Sequence, residues 1–127
     1  MALLTESEKQ TYTDDGLVVP GFRFSPEKVS DLVDLLDETL DVRSDQRPES
    51  IVCPHIAGWD GMPADLAQRW LDLCTTSEVM DIAQELIGPD VILWGSQICC
   101  KPPQPGLPIS WHQDGHFWPI RPLRTLN

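Results

Sequence analysis

The hydrophobic period of this chain changes at Gly88-Pro89, and that change limits what it can fold into. Before it, apolar residues recur at helical spacing; after it, from Val91, they cluster as in strands. Helices first and strands second is the pattern of an α+β fold. Ser25-Pro26-Glu27 predicts the start of a long helix, with Ser at the N-cap, Pro in the first turn and an acid beside it. Val29, Leu32, Val33, Leu36 and Leu40 then make one apolar stripe, and Asp31, Asp34, Asp37, Glu38 and Asp41 lie mostly off it as a solvated face. A second helix is expected from about Pro63 to Cys74, with Leu66, Trp70, Leu73 and Cys74 on one face. Thr75-x-x-Glu78 reads as a capping box for a third, with Val79, Ile82, Ala83 and Leu86 inward and Gly88-Pro89 as its stop.

The intervening stretches carry less pattern. Residues 1–10 read as a frayed start or a short helical lead. Asp14-Asp15-Gly16 signals a turn, and Leu17-Val18-Val19 a short strand ended by Pro20-Gly21. Between residues 42 and 63, Pro48, Pro54, Gly58, Gly61 and Pro63 break every run, leaving at most a short strand at Ile51-Val52-Cys53. His55 reads as a loop histidine, although a loop of this composition equally suits a substrate entrance.

Beyond the change of period, Val91 to Lys101 has the length and β-branched content of a strand. Alternation puts Gly95, Gln97, Cys99 and Lys101 on one face, so Gln97 and Lys101 address the same space. The prolines of 102–108 forbid a helix or a central strand there. That loop delivers Ile109 to Asp114, a second predicted strand, within the run W-H-Q-D-G-H-F-W-P-I-R-P. His112 and Asp114 stand two apart and face the same way on an extended chain. An imidazole nitrogen and a carboxylate oxygen so placed supply two-thirds of a 2-His-1-carboxylate facial triad for Fe(II). The pair alone is weak evidence: with three His and 13 Asp, His-x-Asp arises by chance in about one such chain in three. His116 shares the parity and offers a rival, wholly local site. On an extended strand, however, His112 and His116 stand roughly 13 Å apart, so only a sharp bend at Gly115 would unite them. Trp111, His116, Phe117 and Trp118 are better placed as pocket wall.

The surroundings of the motif are more specific. The run L-W-G-S-Q-I-C-C-K-P-P-Q-P-G-L-P-I-S before W-H-Q-D, the Phe117-Trp118 pair and the following P-x-R-P together resemble the phytanoyl-CoA dioxygenase family of Fe(II)- and 2-oxoglutarate-dependent oxygenases. The opening Y-T-D-D-G-L-V-V-P is similar to that family's N-terminal strand, so the resemblance covers nearly the whole chain as the front part of a member. It implies N-terminal helices packed on a double-stranded β-helix, a jelly-roll or cupin-like barrel, here truncated. Residues 1–90 would be the helix-and-strand lead-in and 91–127 the first barrel strands of one domain. It implies Fe(II) held by His112, Asp114 and a distal His, with 2-oxoglutarate as cosubstrate and O2 and a small molecule as the other reactants. The cosubstrate would be decarboxylated to succinate and CO2 while a substrate C–H bond is hydroxylated. Lys101 would contact the dicarboxylate by charge-assisted hydrogen bonds, with Gln97 near cosubstrate or substrate; a lysine ending a strand in solvent is an equal reading. No distal His and no following Arg occur before Asn127, and Arg121 and Arg124 do not match that Arg's place. The 127-residue chain is therefore expected not to complete a turnover, and succinate formation by it would refute this.

Composition removes other classes. At 127 residues the chain is at most one domain, and its net charge of −11 offers no basic footprint for nucleic acid. Nine scattered Lys and Arg make no polybasic run for a membrane surface. No apolar stretch approaches the roughly 20 residues of a transmembrane helix, and M-A-L-L-T-E-S-E-K lacks a signal peptide's basic start. A cytoplasmic protein is expected, with Cys53, Cys74, Cys99 and Cys100 as reduced thiols. Two further classes stay open: a catalytically inactive metal-binding or structural relative, and an acidic interaction module.

Overall fold

A computed structural model describes residues 2–45, 47–49, 51–101, 106, 108–116, 118–121 and 124–127. In order, they form α1 (Glu6–Asp15), α2 (Pro26–Val42), β1 (Ile51–Val52), a 3-10 turn (Trp59–Gly61), α3 (Ala64–Cys74), α4 (Ser77–Ile87), β2 (Gln97–Ile98) and a second 3-10 turn (Asp114–His116). The two strands pair antiparallel, Ile51 with Ile98 and Val52 with Gln97. This is a mixed fold, largely helical with little sheet.

Local chemistry sets the helix ends. Thr5 and Glu8 form a reciprocal capping box on α1, and Gly16 closes it in the left-handed region at φ 71°. Glu8 also accepts a hydrogen bond from the Gly21 amide at 2.6 Å, folding the next segment back on the helix. At α2, Ser25 caps the Lys28 amide and Pro26 occupies the first turn, as the sequence predicts. The cap of α4 is Thr76, one residue beyond the predicted Thr75, because the Thr75 hydroxyl instead donates back to Leu71 O at 2.8 Å.

The core lies between α2, α3 and the β1 region. Leu35, Ile51, Met62, Leu66, Ala67 and Trp70 form it, with Leu40, Leu73 and Ile98 packed alongside. Its polar centre is Thr39, which is fully buried. Thr39 donates to Leu35 O at 2.7 Å and accepts from the Trp70 indole at 2.9 Å. The predicted α2 stripe is thereby corrected: Val29 and Val33 are half exposed, while Leu35 and Thr39 are buried. The inner face is thus turned from the centre of the stripe toward Leu35 and Thr39, and Thr39 supplies the acceptor that the buried Trp70 N–H needs. Around the core, Arg69 forks onto Glu38 at 2.5 and 3.1 Å, tying α3 to α2 at the surface. The buried Arg43 pairs with Asp60, which sits in the left-handed region at φ 51° and fixes the 53–63 loop against the end of α2. Glu85 ties α1 to α4 through the Leu3 amide at 2.8 Å and Lys9 at 3.0 Å.

Three strand expectations need correction. Leu17–Val19 is irregular after the α1 cap, with Leu17 and Val19 exposed. Of Val91–Lys101, only Gln97–Ile98 pairs, and Ile109–Asp114 is irregular rather than a strand. A jelly-roll barrel is not formed among the described residues. A strand exists by virtue of its ladder, and among the described residues these β-prone segments pair with no strand other than β1. The predicted loop residues Pro102–Pro105 and Leu107 lie outside the described residues. No described helix is long and apolar enough to cross a membrane.

Candidate metal centre

The segment that bears the motif is tied to the helical core through β2. The Cys53 amide donates to Ser96 O at 2.8 Å, and the Cys100 amide to Pro48 O at 3.1 Å. Ser96 is a junction that sequence reasoning missed. Its hydroxyl meets His55 Nδ1 at 2.6 Å, which gives the loop histidine a structural role, and it hydrogen-bonds the Cys74 thiol. Half-burial pushes the Cys74 thiol up despite that bond, so it is a packing group rather than a nucleophile. All four cysteines are free.

Strand alternation survives although the ladder is short. Gln97, Cys99 and Lys101 are exposed, while Ser96, Ile98 and Cys100 are turned inward. Gln97 therefore stands on the outer face of β2 opposite Val52, and Lys101 follows on the same side. Trp111 is fully exposed, beside a shallow cavity of about 250 Å³ lined by Ile109, Ser110, Trp111 and His112. His116 is exposed at the end of the second 3-10 turn, Trp118 is half-buried, and Phe117 lies outside the described residues.

The structure brings His112 and Asp114 together. His112 Nε2 lies 3.1 Å from Asp114 Oδ1, with both side chains about half exposed. The 3-10 turn that begins at Asp114, closed by His116 N to Gln113 O at 3.0 Å, aims the carboxylate back at the ring. His112 Nδ1 lies 2.7 Å from Ser110 O. A carbonyl only accepts, so Nδ1 carries a proton and, in the neutral ring, Nε2 presents its lone pair to the carboxylate. Two acceptors at that distance repel unless a proton or a cation sits with them. Two ligands at right angles on a metal, each about 2.1 Å from it, are about 3.0 Å apart, close to the 3.1 Å observed. The carbonyl on the far ring nitrogen is the usual device for orienting a metal-bound imidazole. The spacing of these two donors thus fits two neighbouring positions on a divalent first-row metal. Among the described residues, no three His, Cys, Asp or Glu side chains are gathered to hold a metal ion, so His116 does not complete a local site.

The sequence matches the phytanoyl-CoA dioxygenase family over residues 3–127. The chain belongs to that family. No curated protein and no solved structure gave a match. Family members are generally oxygenases that use Fe(II) and 2-oxoglutarate, which agrees with the donor set at His112 and Asp114. Sequence reasoning missed two groups that hold that pair: the Ser110 carbonyl, which no side-chain pattern can reveal, and Asn127, which donates to Asp114 Oδ2 at 2.5 Å across 13 residues.

Proposed function

We propose that this chain supplies His112 and Asp114, two of the three protein ligands of the iron site, to an Fe(II)- and 2-oxoglutarate-dependent dioxygenase that hydroxylates a C–H bond of a small organic substrate. The observation that carries the reading is the 3.1 Å approach of His112 Nε2 to Asp114 Oδ1, with Nδ1 tied to a carbonyl. The bound iron would activate O2 at the cost of oxidative decarboxylation of 2-oxoglutarate. His112 and Asp114 act as ligands and transfer no proton; the Ser110 carbonyl keeps the ring's proton on Nδ1 and its lone pair on Nε2. Lys101 and Gln97, on the outer face of the β2 segment, are the groups for the dicarboxylate: an ammonium for one carboxylate and an amide beside it. Trp111, His116, Phe117 and Trp118 are assigned to the substrate wall.

Mn(II) replaces Fe(II) in such donor sets and broadens nearby nuclear resonances even when it binds weakly. Titrated into the labelled 127-residue protein, Mn(II) is expected to broaden the His112 ring signals first, and 2-oxoglutarate to strengthen the effect. His112→Ala and Asp114→Ala should each abolish it, and Lys101→Ala should remove only the 2-oxoglutarate-dependent part. Broadening that begins at the acidic face of α2 and spares His112 would sink the reading. The remaining account of the 3.1 Å contact would then be an imidazolium–carboxylate ion pair.

A further inference from the structure

We infer that Asn127 is a positioning residue for the metal centre, holding Asp114 so that one carboxylate oxygen is committed to an amide and the other is left to the metal. The inference rests on the metal-centre reading and deepens it. Asp114 is only half-buried. Its two oxygens are nevertheless divided in use: Oδ1 faces His112 Nε2 at 3.1 Å, and Oδ2 is 2.5 Å from Asn127 Nδ2. An ionised carboxylate only accepts, so the side of Asn127 turned to it is the NH2 group.

The consequence is chemical. An amide donor satisfies Oδ2 without neutralising the carboxylate, so its full charge remains for a cation at Oδ1; a lysine or arginine there would compete with the metal. Both ligands then have an outer partner of the right polarity: an acceptor, Ser110 O, on the imidazole N–H, and a donor, Asn127 Nδ2, on the spare carboxylate oxygen. A mere surface ion pair requires neither. Such outer partners pre-orient ligands that would otherwise lose rotational freedom when metal binds. With Oδ2 occupied, Asp114 is set to bind through one oxygen, which keeps coordination positions open for the cosubstrate.

The test uses the 127-residue protein in two measurements. In the metal-free protein, Asp114→Ala should move the Asn127 side-chain amide signals, and Asp81→Ala should not; signals unmoved by Asp114→Ala would overturn the inference. In the Mn(II) titration read at His112, Asn127→Leu keeps the side chain's bulk without a donor. It should weaken binding about tenfold, the lower end of what outer partners of metal ligands contribute. Asn127→Gln, which restores the amide, should recover most of that loss, and both variants should keep the wild-type urea midpoint. Asn127→Leu binding Mn(II) as tightly as wild type overturns the positioning role while leaving the metal centre standing. Wild-type protein with no Mn(II) at His112 overturns the metal centre itself, and the positioning role with it.

Discussion

The helical region from α2 to α4 and the segment from Val91 onward are held by different physics. In the first, Leu35, Thr39, Ile51, Met62, Leu66, Ala67 and Trp70 leave water together, and their order comes from close packing. In the second, no described residue reaches full burial, and position is set by directed bonds: Cys53 to Ser96, Ser110 to His112, Asn127 to Asp114. The residues that give stability are therefore not the residues of the candidate site. A site built on an exposed segment, tied to a core by a two-residue ladder, keeps open faces for ligands and contributes little to the folding free energy.

The comparison can be broken most directly at Trp70. Trp70→Ala should cost about 3–5 kcal/mol in urea unfolding followed by circular dichroism, through lost burial and the cavity left behind. If His112→Ala costs a similar amount, the two regions are one cooperative unit and the division fails.

Thr39→Val is the next largest. It leaves the Trp70 indole N–H buried without its acceptor, at about 1–3 kcal/mol. Adding Trp70→Phe should restore part of the loss, and strict additivity in that cycle would remove Thr39 from the centre of the core.

Acid should loosen the α1–α4 contact before it touches the α2–α3 core. The Glu8 carboxyl is held below its ordinary value of 4.5 by the amides of Thr5 and Gly21. Glu85 is lowered likewise by the Leu3 amide and by Lys9. A depressed folded value means the stabilisation is fully present above about pH 4.5 and is lost as pH falls through the lower folded values. Protection factors of the α1 amides should therefore fall as pH drops below about 4.5, while amides around Trp70 stay protected. Glu85→Gln should flatten the α1 response. A uniform loss of protection across both regions would contradict the separation.

The smallest effects on stability belong to the metal pair. His112→Ala and Asp114→Ala should each change the unfolding free energy by less than about 0.5 kcal/mol, as half-exposed side chains outside the core do. Either should nonetheless abolish the Mn(II) signal, and that contrast sharpens the comparison more than any single large effect.

Signals carried by neighbouring residues were legible in the sequence. Ser25-Pro26 started α2, Ile51-Val52 paired as a strand, and Gly88 ended α4. Each follows from capping, turn or alternation rules within a few residues. The family, too, was readable from the motif and its flanks, and the match over residues 3–127 bears it out. Pairing across distance belonged to the tertiary structure. Which face of α2 turns inward was settled by packing with α3, whose Trp70 donates to Thr39 from 31 residues away in the chain. Whether Val91–Lys101 and Ile109–Asp114 become strands depended on a partner edge, and only Gln97–Ile98 found one. Which oxygen of Asp114 meets an amide donor was decided by Asn127, because a local sequence sets where a carboxylate points but not which distant donor reaches it.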